Sequence, residues 1–341
     1  MSNPGRPQFA SMNGQIVPFE DAKISIMAPG LTFAVLAFEG LRAYWNAEEE
    51  QVFVFRVPEH MDRLAFSNLV IEIDGAPDAT TLTTQMLELI RVSEIKEDSY
   101  IRLQTYIDDW GDMAATGPVG SSIICRARGR VAAFAEGRHF SVSSWRRNEE
   151  DASPSRIKAS ANYLNSRLAG LEAKRAGFDA AVILNRDGTV SEGPGGCLFL
   201  MRDGQWITPP VTANILESVT RSTLIEVAGD VGSDVVQREI GRTELYLAEE
   251  AFYCGTGQEM VPILSFDRKP VGDGQLTVPA GWTEFLGACP DTCYVNCTYN
   301  HNGRSKTFDD PTFARGSNYA TSVIGNASLA FAEAAMDDGV P

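Results

Sequence analysis

Ser155-Arg156-Ile157-Lys158-Ala159-Ser160-Ala161-Asn162-Tyr163-Leu164 opens the stretch on which the reading of this chain turns, and Ser191-Glu192-Gly193 closes it. One lysine sits in a short polar lead-in. A helix is expected from about Asn162 to Ala176, with Leu164, Leu168 and Leu171 spaced three to four apart as its apolar face. Gly177 fits the position just past the helix end. An apolar strand follows over 179–184. The turn Asn185-Arg186-Asp187-Gly188 then leads to a return strand, Thr189-Val190-Ser191-Glu192. Gly193-Pro194-Gly195-Gly196 is a tight break before the apolar run 197–200. Helix and strand patterns alternate here and upstream, which makes the fold class α/β (α+β).

The totals bound the rest. At 341 residues the chain has the length of two domains, and its 44% hydrophobic content can build a sizeable core. A net charge of −16 excludes nucleic acid and anionic membrane surfaces as expected partners. It does not exclude an anionic cofactor, because local charge decides there. No apolar run approaches the ~18–20 residues of a membrane span. The N-terminal residues lack the basic and apolar regions of a targeting segment, so the expected location is the cytoplasm. The six cysteines are then expected to be reduced.

The motif order carries a more specific signal. Lys158, then Asn162-Tyr163-Leu164, then Ser191-Glu192-Gly193 resembles the class IV aminotransferases. These are pyridoxal 5′-phosphate (PLP) enzymes of fold type IV, and the branched-chain amino acid aminotransferases are the most similar kind. The resemblance covers roughly residues 10 to 275. It implies two α/β domains with the cofactor between them: a small domain 1–126, a linker 127–138, a large PLP-binding domain 139–280 and an atypical extension 281–341. It also implies that Lys158 carries PLP covalently and acts as the catalytic base. Glu192 would bind the pyridine nitrogen and Tyr163 the 3-oxygen. The chemistry agrees, since a carboxylate keeps that nitrogen protonated, and a positioned lysine serves as nucleophile and then base.

Further segments extend the resemblance. Glu59-His60-Met61-Asp62-Arg63-Leu64, in a helix opened by Pro58, matches the family's phosphate-gripping arginine, which implies that role for Arg63. His60 is expected to cap or pack. Ile215-Leu216-Glu217-Ser218-Val219-Thr220-Arg221 leads a helix whose first amides, at Val219 and Thr220, would bind the phosphate. Leu216 would pack on the cofactor ring, and Glu217 should point away. Ala251 to Pro262 matches the segment in which Thr256 bonds the phosphate and Gly257 offers backbone to the substrate carboxylate.

The substrate side is implied by Phe38 and Arg42, within Phe38-Glu39-Gly40-Leu41-Arg42-Ala43-Tyr44, and by Tyr100 and Arg102. The latter two share a sheet face by alternation. Residues 31–38 are expected to form a buried helix that ends in this segment. Phe33 and Trp110 depart from the branched-chain pattern, the latter in an acidic loop of the kind the family lends to a neighbouring subunit. The resemblance therefore implies a homodimer that moves the amino group of an L-amino acid, branched-chain-like or bulky and hydrophobic, to a 2-oxo acid. The alternatives are a D-amino-acid or (R)-amine transaminase, a PLP lyase of the aminodeoxychorismate type, and a non-catalytic binding protein. Cys289, Cys293 and Cys297 recur every four residues, but the pattern lacks the closer pairs or histidines of a metal site, and no metal is expected.

Overall fold

The computed structural model describes residues 6–47, 50–129, 136–230 and 232–273, with the backbone of three short strand segments at 299–301, 304–306 and 320–324. Cys289, Cys293, Cys297 and most of the expected extension lie outside the described residues.

Two sheets organise the chain. The first is built from β1 (Phe9–Met12), β2 (Gln15–Pro18), β3 (Leu36–Asn46), β4 (Gln51–Phe55), β5 (Ser99–Ile107) and β6 (Val119–Ala127). The order is β4-β3-β5-β6-β1-β2, every pair antiparallel, with the Ala320–Ile324 strand added beside β4. The β1–β2 turn is Asn13-Gly14, and both residues have positive φ, 50° and 81°. That is the geometry that favours an Asn-Gly pair. A short α1 (Pro29–Thr32) precedes β3, and α2 (Val57–Val70) and α3 (Ala79–Ser93) cover one face. Asp78 starts α3 by accepting the Thr81 N–H at 2.7 Å. Leu41, Leu82, Met86, Leu89, Ile101 and Leu103 form the core between helices and sheet.

The second sheet begins with β7 (Arg138–Arg146), after β6 of the first sheet has ended at Ala127. The lysine stretch and α4 (Tyr163–Arg175) lead to β8 (Ala180–Leu184), which pairs parallel with β7. This is a crossover unit, and Lys158 lies in its connection. Then come β9 (Cys197–Arg202), β10 (Gln205–Thr208), α5 (Val219–Asp230), β11 (Val236–Gln237), β12 (Glu250–Gly255) and β13 (Glu259–Phe266). The order is β11-β10-β9-β12-β13-β7-β8. Phe199 stacks on Phe252 with ring centroids 4.7 Å apart, and Trp206 packs beside them at 5.1 Å, which fixes the face under α5.

Three local expectations are corrected. Residues 31–38 do not form a buried helix: α1 ends at Thr32, Leu31 and Phe33 are exposed, and Leu36 already belongs to β3. A short apolar run suits either element, and here strand pairing with β5 decides. The leucines of α4 are not its buried face. Leu164 is exposed, Ser166 is buried at the cavity, and Ala169 and Ala173 face inward, letting the helix lie close on Ala181 and Ile183 of β8. Finally, Thr189–Glu192 makes no regular strand. Isolated bridges at Thr189 and Val190 and the bond from Ser191 N–H to Ile183 O hold it instead.

Strand β3 ties the two halves together. Phe38 N–H donates to Lys158 O at 3.0 Å, and Lys158 N–H donates to Ser67 Oγ of α2 at 3.0 Å. Beside them Glu39, fully buried, accepts from Arg63 Nε and Nη2, both at 2.7 Å, and lies 2.7 Å from His60 Nδ1. Burial alone would raise the Glu39 carboxyl, but Arg63 and His60 outweigh it and hold it far below the usual carboxylate range. A depressed carboxylate contributes stability above its unfolded pKa and loses it as pH falls. Glu39→Gln is therefore expected to cost about 3–5 kcal/mol at neutral pH, as loss of one partner of a buried pair does. The gap to wild type should narrow as pH drops below the carboxylate range. Urea denaturation from pH 3 to 8, taken as ~1-unit steps, checks this; a gap that stays constant with pH would refute the assignment.

Candidate active site

One cavity runs along the seam between the sheets. Lys158, Tyr163 and Phe38 line one part of it, and Glu192, Leu216 and Ser218 another. Arg63, Tyr100, Arg102, Thr256 and Gly257 complete the set of expected residues that reach it.

The lysine is well placed for chemistry. Its Nζ donates to Tyr163 Oη at 2.7 Å and lies 4.8 Å from the Phe38 ring centroid. Among the described residues no carboxylate forms a salt bridge with it, so the amine is held by a phenol and aromatic faces. Tyr163 is the first residue of α4, so the helix start fixes the phenol relative to the lysine five residues before it.

Glu192 is buried and heavily bonded. Arg147 Nη2 donates to its Oε1 at 2.5 Å, and Leu216 N–H donates to Oε2 at 3.3 Å. Burial raises its pKa against the pull of Arg147 and the Leu216 amide. Its charge is thus incompletely compensated, a setting that favours a further cationic N–H partner. Arg147 was not legible from sequence. It follows β7 without a motif, and its partner lies far along the chain. One of its own nitrogens, Nη1, is buried with no hydrogen-bond partner among the described residues, as is the Ser155 hydroxyl.

Arg63 is positioned by Glu39 and by Nη1 donating to Glu217 O at 2.8 Å. These bonds leave part of its five-donor fork free for an anion. Ser218 caps α5, its Oγ accepting from Arg221 N–H at 3.3 Å. Among the described residues the amides of Val219 and Thr220 have no acceptor, so the helix start offers paired donors. Both residues are buried just behind the cavity lining. Glu217 points away, its carboxylate 2.5 Å from Arg156 Nη1. A cationic arginine, a helix N-terminus and a threonine suit a phosphate, and a buried carboxylate suits a ring N–H. The donor set fits PLP.

Three expected substrate residues are not brought to the cavity. Arg42 is 1% exposed, and its guanidinium donates to Arg128 O, Gly129 O and Glu259 Oε1 at 2.9, 3.1 and 3.0 Å. Arg42 pairs directly with Tyr100 and so shares its sheet face, but these three bonds consume its guanidinium and it serves as a buried tie. Phe33, at the end of α1, and Trp110, 73% exposed, lie on the surface of this chain. Glycine is required at Gly40, because a Cβ there would strike the Tyr100 hydroxyl. That close approach sets where Tyr100 enters the cavity.

The profile of the amino-transferase class IV family matches residues 36–266. A probable branched-chain-amino-acid aminotransferase of Aquifex aeolicus is 38% identical over 272 residues, covering 79% of this chain and 87% of that protein. The crystal structure of branched-chain aminotransferase from Thermoproteus uzoniensis with norvaline superposes with a TM-score of 0.77 at 34% identity, covering 82% of this chain and 95% of that one. The Thermobaculum terrenum branched-chain amino acid aminotransferase in its PLP form gives 0.73 at 37% identity, covering 78% and 88%. A matching profile over most of the chain, and a cavity whose donors suit the cofactor, lead to one assignment: the protein belongs to the class IV aminotransferases.

Proposed function

We propose that this protein is a PLP-dependent aminotransferase that moves the amino group of an L-amino acid, branched-chain or bulky and hydrophobic, to a 2-oxo acid. The observation that carries this reading is the pairing of Lys158 with Tyr163 in the same cavity as the buried, arginine-backed Glu192. Lys158 would hold PLP, Glu192 its pyridine nitrogen and Tyr163 its 3-oxygen. Arg63, Thr256 and the amides of Val219 and Thr220 would hold its phosphate, with Leu216 against the ring. When bound, PLP supplies the electron sink for a carbanion at the substrate Cα.

The remaining work belongs to the chain. Lys158 carries the proton to and from the substrate Cα, as a positioned general base and acid. Tyr163, 2.7 Å away, orients its amine. Arg147 pulls against the burial that raises the Glu192 pKa, and so favours the carboxylate beside the ring nitrogen. Phe38, Tyr100, Arg102 and Gly257 would contact substrate.

Phe33 and Trp110, together with the exposed Leu31 and Met113, are read as the surface one subunit gives to another in a homodimer, where the first two would shape the partner's cavity. The proposed domain bounds near 126 and 139 are supported by the end of β6 at Ala127 and the start of β7 at Arg138. Among the described residues no helix is long and apolar enough to cross a membrane, and Cys125, Cys197 and Cys254 are free thiols, which suits a cytoplasmic setting.

Two outcomes are expected. Lys158→Ala should abolish transamination, and borohydride reduction with peptide mapping of the wild type should place the pyridoxyl group on Lys158; recovery on another lysine would overturn the site. With 2-oxoglutarate as acceptor, rates on L-Leu, L-Ile, L-Val and L-Phe should exceed those on D-Ala and (R)-1-phenylethylamine, with L-Phe used beside L-Leu. Pocket changes of one methylene reorder substrates by only ~1–3 kcal/mol. Preference for D-Ala or the amine would overturn the stereochemical assignment. No turnover of L-Phe would leave an ordinary branched-chain pocket.

A further inference from the structure

The corner of the cavity between Tyr100 and Gly257 holds a cation that no motif announces. Arg128 lies one residue beyond β6, and its side chain lines the cavity. Its guanidinium carbon sits 5.4 Å from the Tyr100 ring centroid, and Nη2 donates to Gly257 O at 2.6 Å. Among the described residues no carboxylate pairs with it. The carboxylate in its neighbourhood, Glu259, is engaged by Arg42 and by the Tyr44 hydroxyl at 3.2 Å. Burial lowers the Arg128 pKa, and two further arginines, Arg42 and Arg126, add like charge in the same direction. The corner is therefore short of negative charge, in a protein whose net charge is −16.

The backbone of Arg128 is fixed on both sides. Its N–H donates to Asp98 O at 2.7 Å, and its carbonyl and that of Gly129 accept from Arg42. Arg42 also grips Glu259, at the base of the Thr256–Gln258 turn. One buried guanidinium thus fixes both flanks of the corner, the segment carrying Arg128 and the turn carrying Gly257. Among the described residues only one N–H of the Arg128 fork is committed, to Gly257 O, and a planar fork held in place is suited to a carboxylate. Arg102, another arginine of the cavity lining, sits over the Phe38 ring at 4.4 Å, on the side of Lys158.

We propose that Arg128 binds the α-carboxylate common to donor and acceptor, and that Arg42 is the positioning residue that sets it there. This rests on the transaminase reading above. Arg102 is left to the other end of a substrate, where a second carboxylate would lie. The two arginines then divide the labour: one reads what every amino acid shares, the other what dicarboxylic substrates add.

Calorimetric titration of the PLP-loaded protein with unreactive acids separates these roles. The probes are 4-methylpentanoate, glutarate and the neutral 4-methylpentanamide. Arg128→Met should weaken both acids by about tenfold or more, the scale of a charged hydrogen bond, and leave the amide unchanged. Arg128→Lys should recover part of the loss. Arg102→Met should weaken glutarate alone. Arg42→Lys keeps the charge but cannot reach two carbonyls and a carboxylate together; it should raise KM for L-Leu while kcat at saturation holds. The assignment is overturned if Arg128→Met binds 4-methylpentanoate within about twofold of wild type, or loses glutarate alone. A fall in kcat with KM unchanged in Arg42→Lys overturns its positioning role. Failure of the transaminase reading would show separately, as wild-type protein that takes up no PLP.

Discussion

Two charges buried on one strand, Glu39 and Arg42 of β3, hold this molecule to its shape. Neither can stay in a dry interior unpaired, because an isolated buried ion costs several kcal/mol. Each therefore recruits a partner from another element. Glu39 draws in Arg63 and His60 from α2, and Arg42 reaches Glu259 in the second sheet. Strand β3 thereby fixes the arginine proposed for the phosphate and the turn proposed for the substrate carboxylate. The hydrophobic cores supply bulk stability, but they are non-directional. The ion pairs set which parts of the two halves meet.

The cavity follows from that constraint. Its chemistry-bearing groups come from a crossover connection, the end of a helix, a hairpin turn and a sheet strand, with no single element holding them all. Lys158 is clamped through its own backbone, its N–H to Ser67 and its carbonyl to Phe38, before its side chain does anything. Such anchoring removes freedom from the amine in advance, which is where much of an enzyme's advantage in positioning arises.

Much of this was legible in the sequence where a local rule operated. Pro58 and Gly177 each mark a boundary through a backbone requirement of their own. Lys158, Tyr163, Glu192, Arg63 and Thr256 stood out because their motifs resemble those of a known family, and all five reach one cavity. What stayed hidden depends on distance in the chain. Arg147 and Arg128 look like any surface arginine until their partners, 45 and 129 positions away, fold against them. Arg42 was visible yet misplaced, because a motif gives residue type and not the partners that claim its guanidinium on folding. The leucines of α4 misled for a related reason. Periodicity weighs hydrophobicity, whereas here the inward face is chosen by smallness.

That small face has a mechanical consequence. Ala169 and Ala173 let α4 ride low on β8, so the helix behaves as a short stiff rod seated on the sheet. Its first residue is Tyr163, the phenol that holds the lysine amine. Any larger side chain at Ala169 would act as a shim, lifting the rod and tilting its tip, because a close-packed interior shifts rather than absorbs added volume. The tolerance of the amine's placement is therefore set by methyl-sized residues on the far side of a helix, well removed from the reacting atoms.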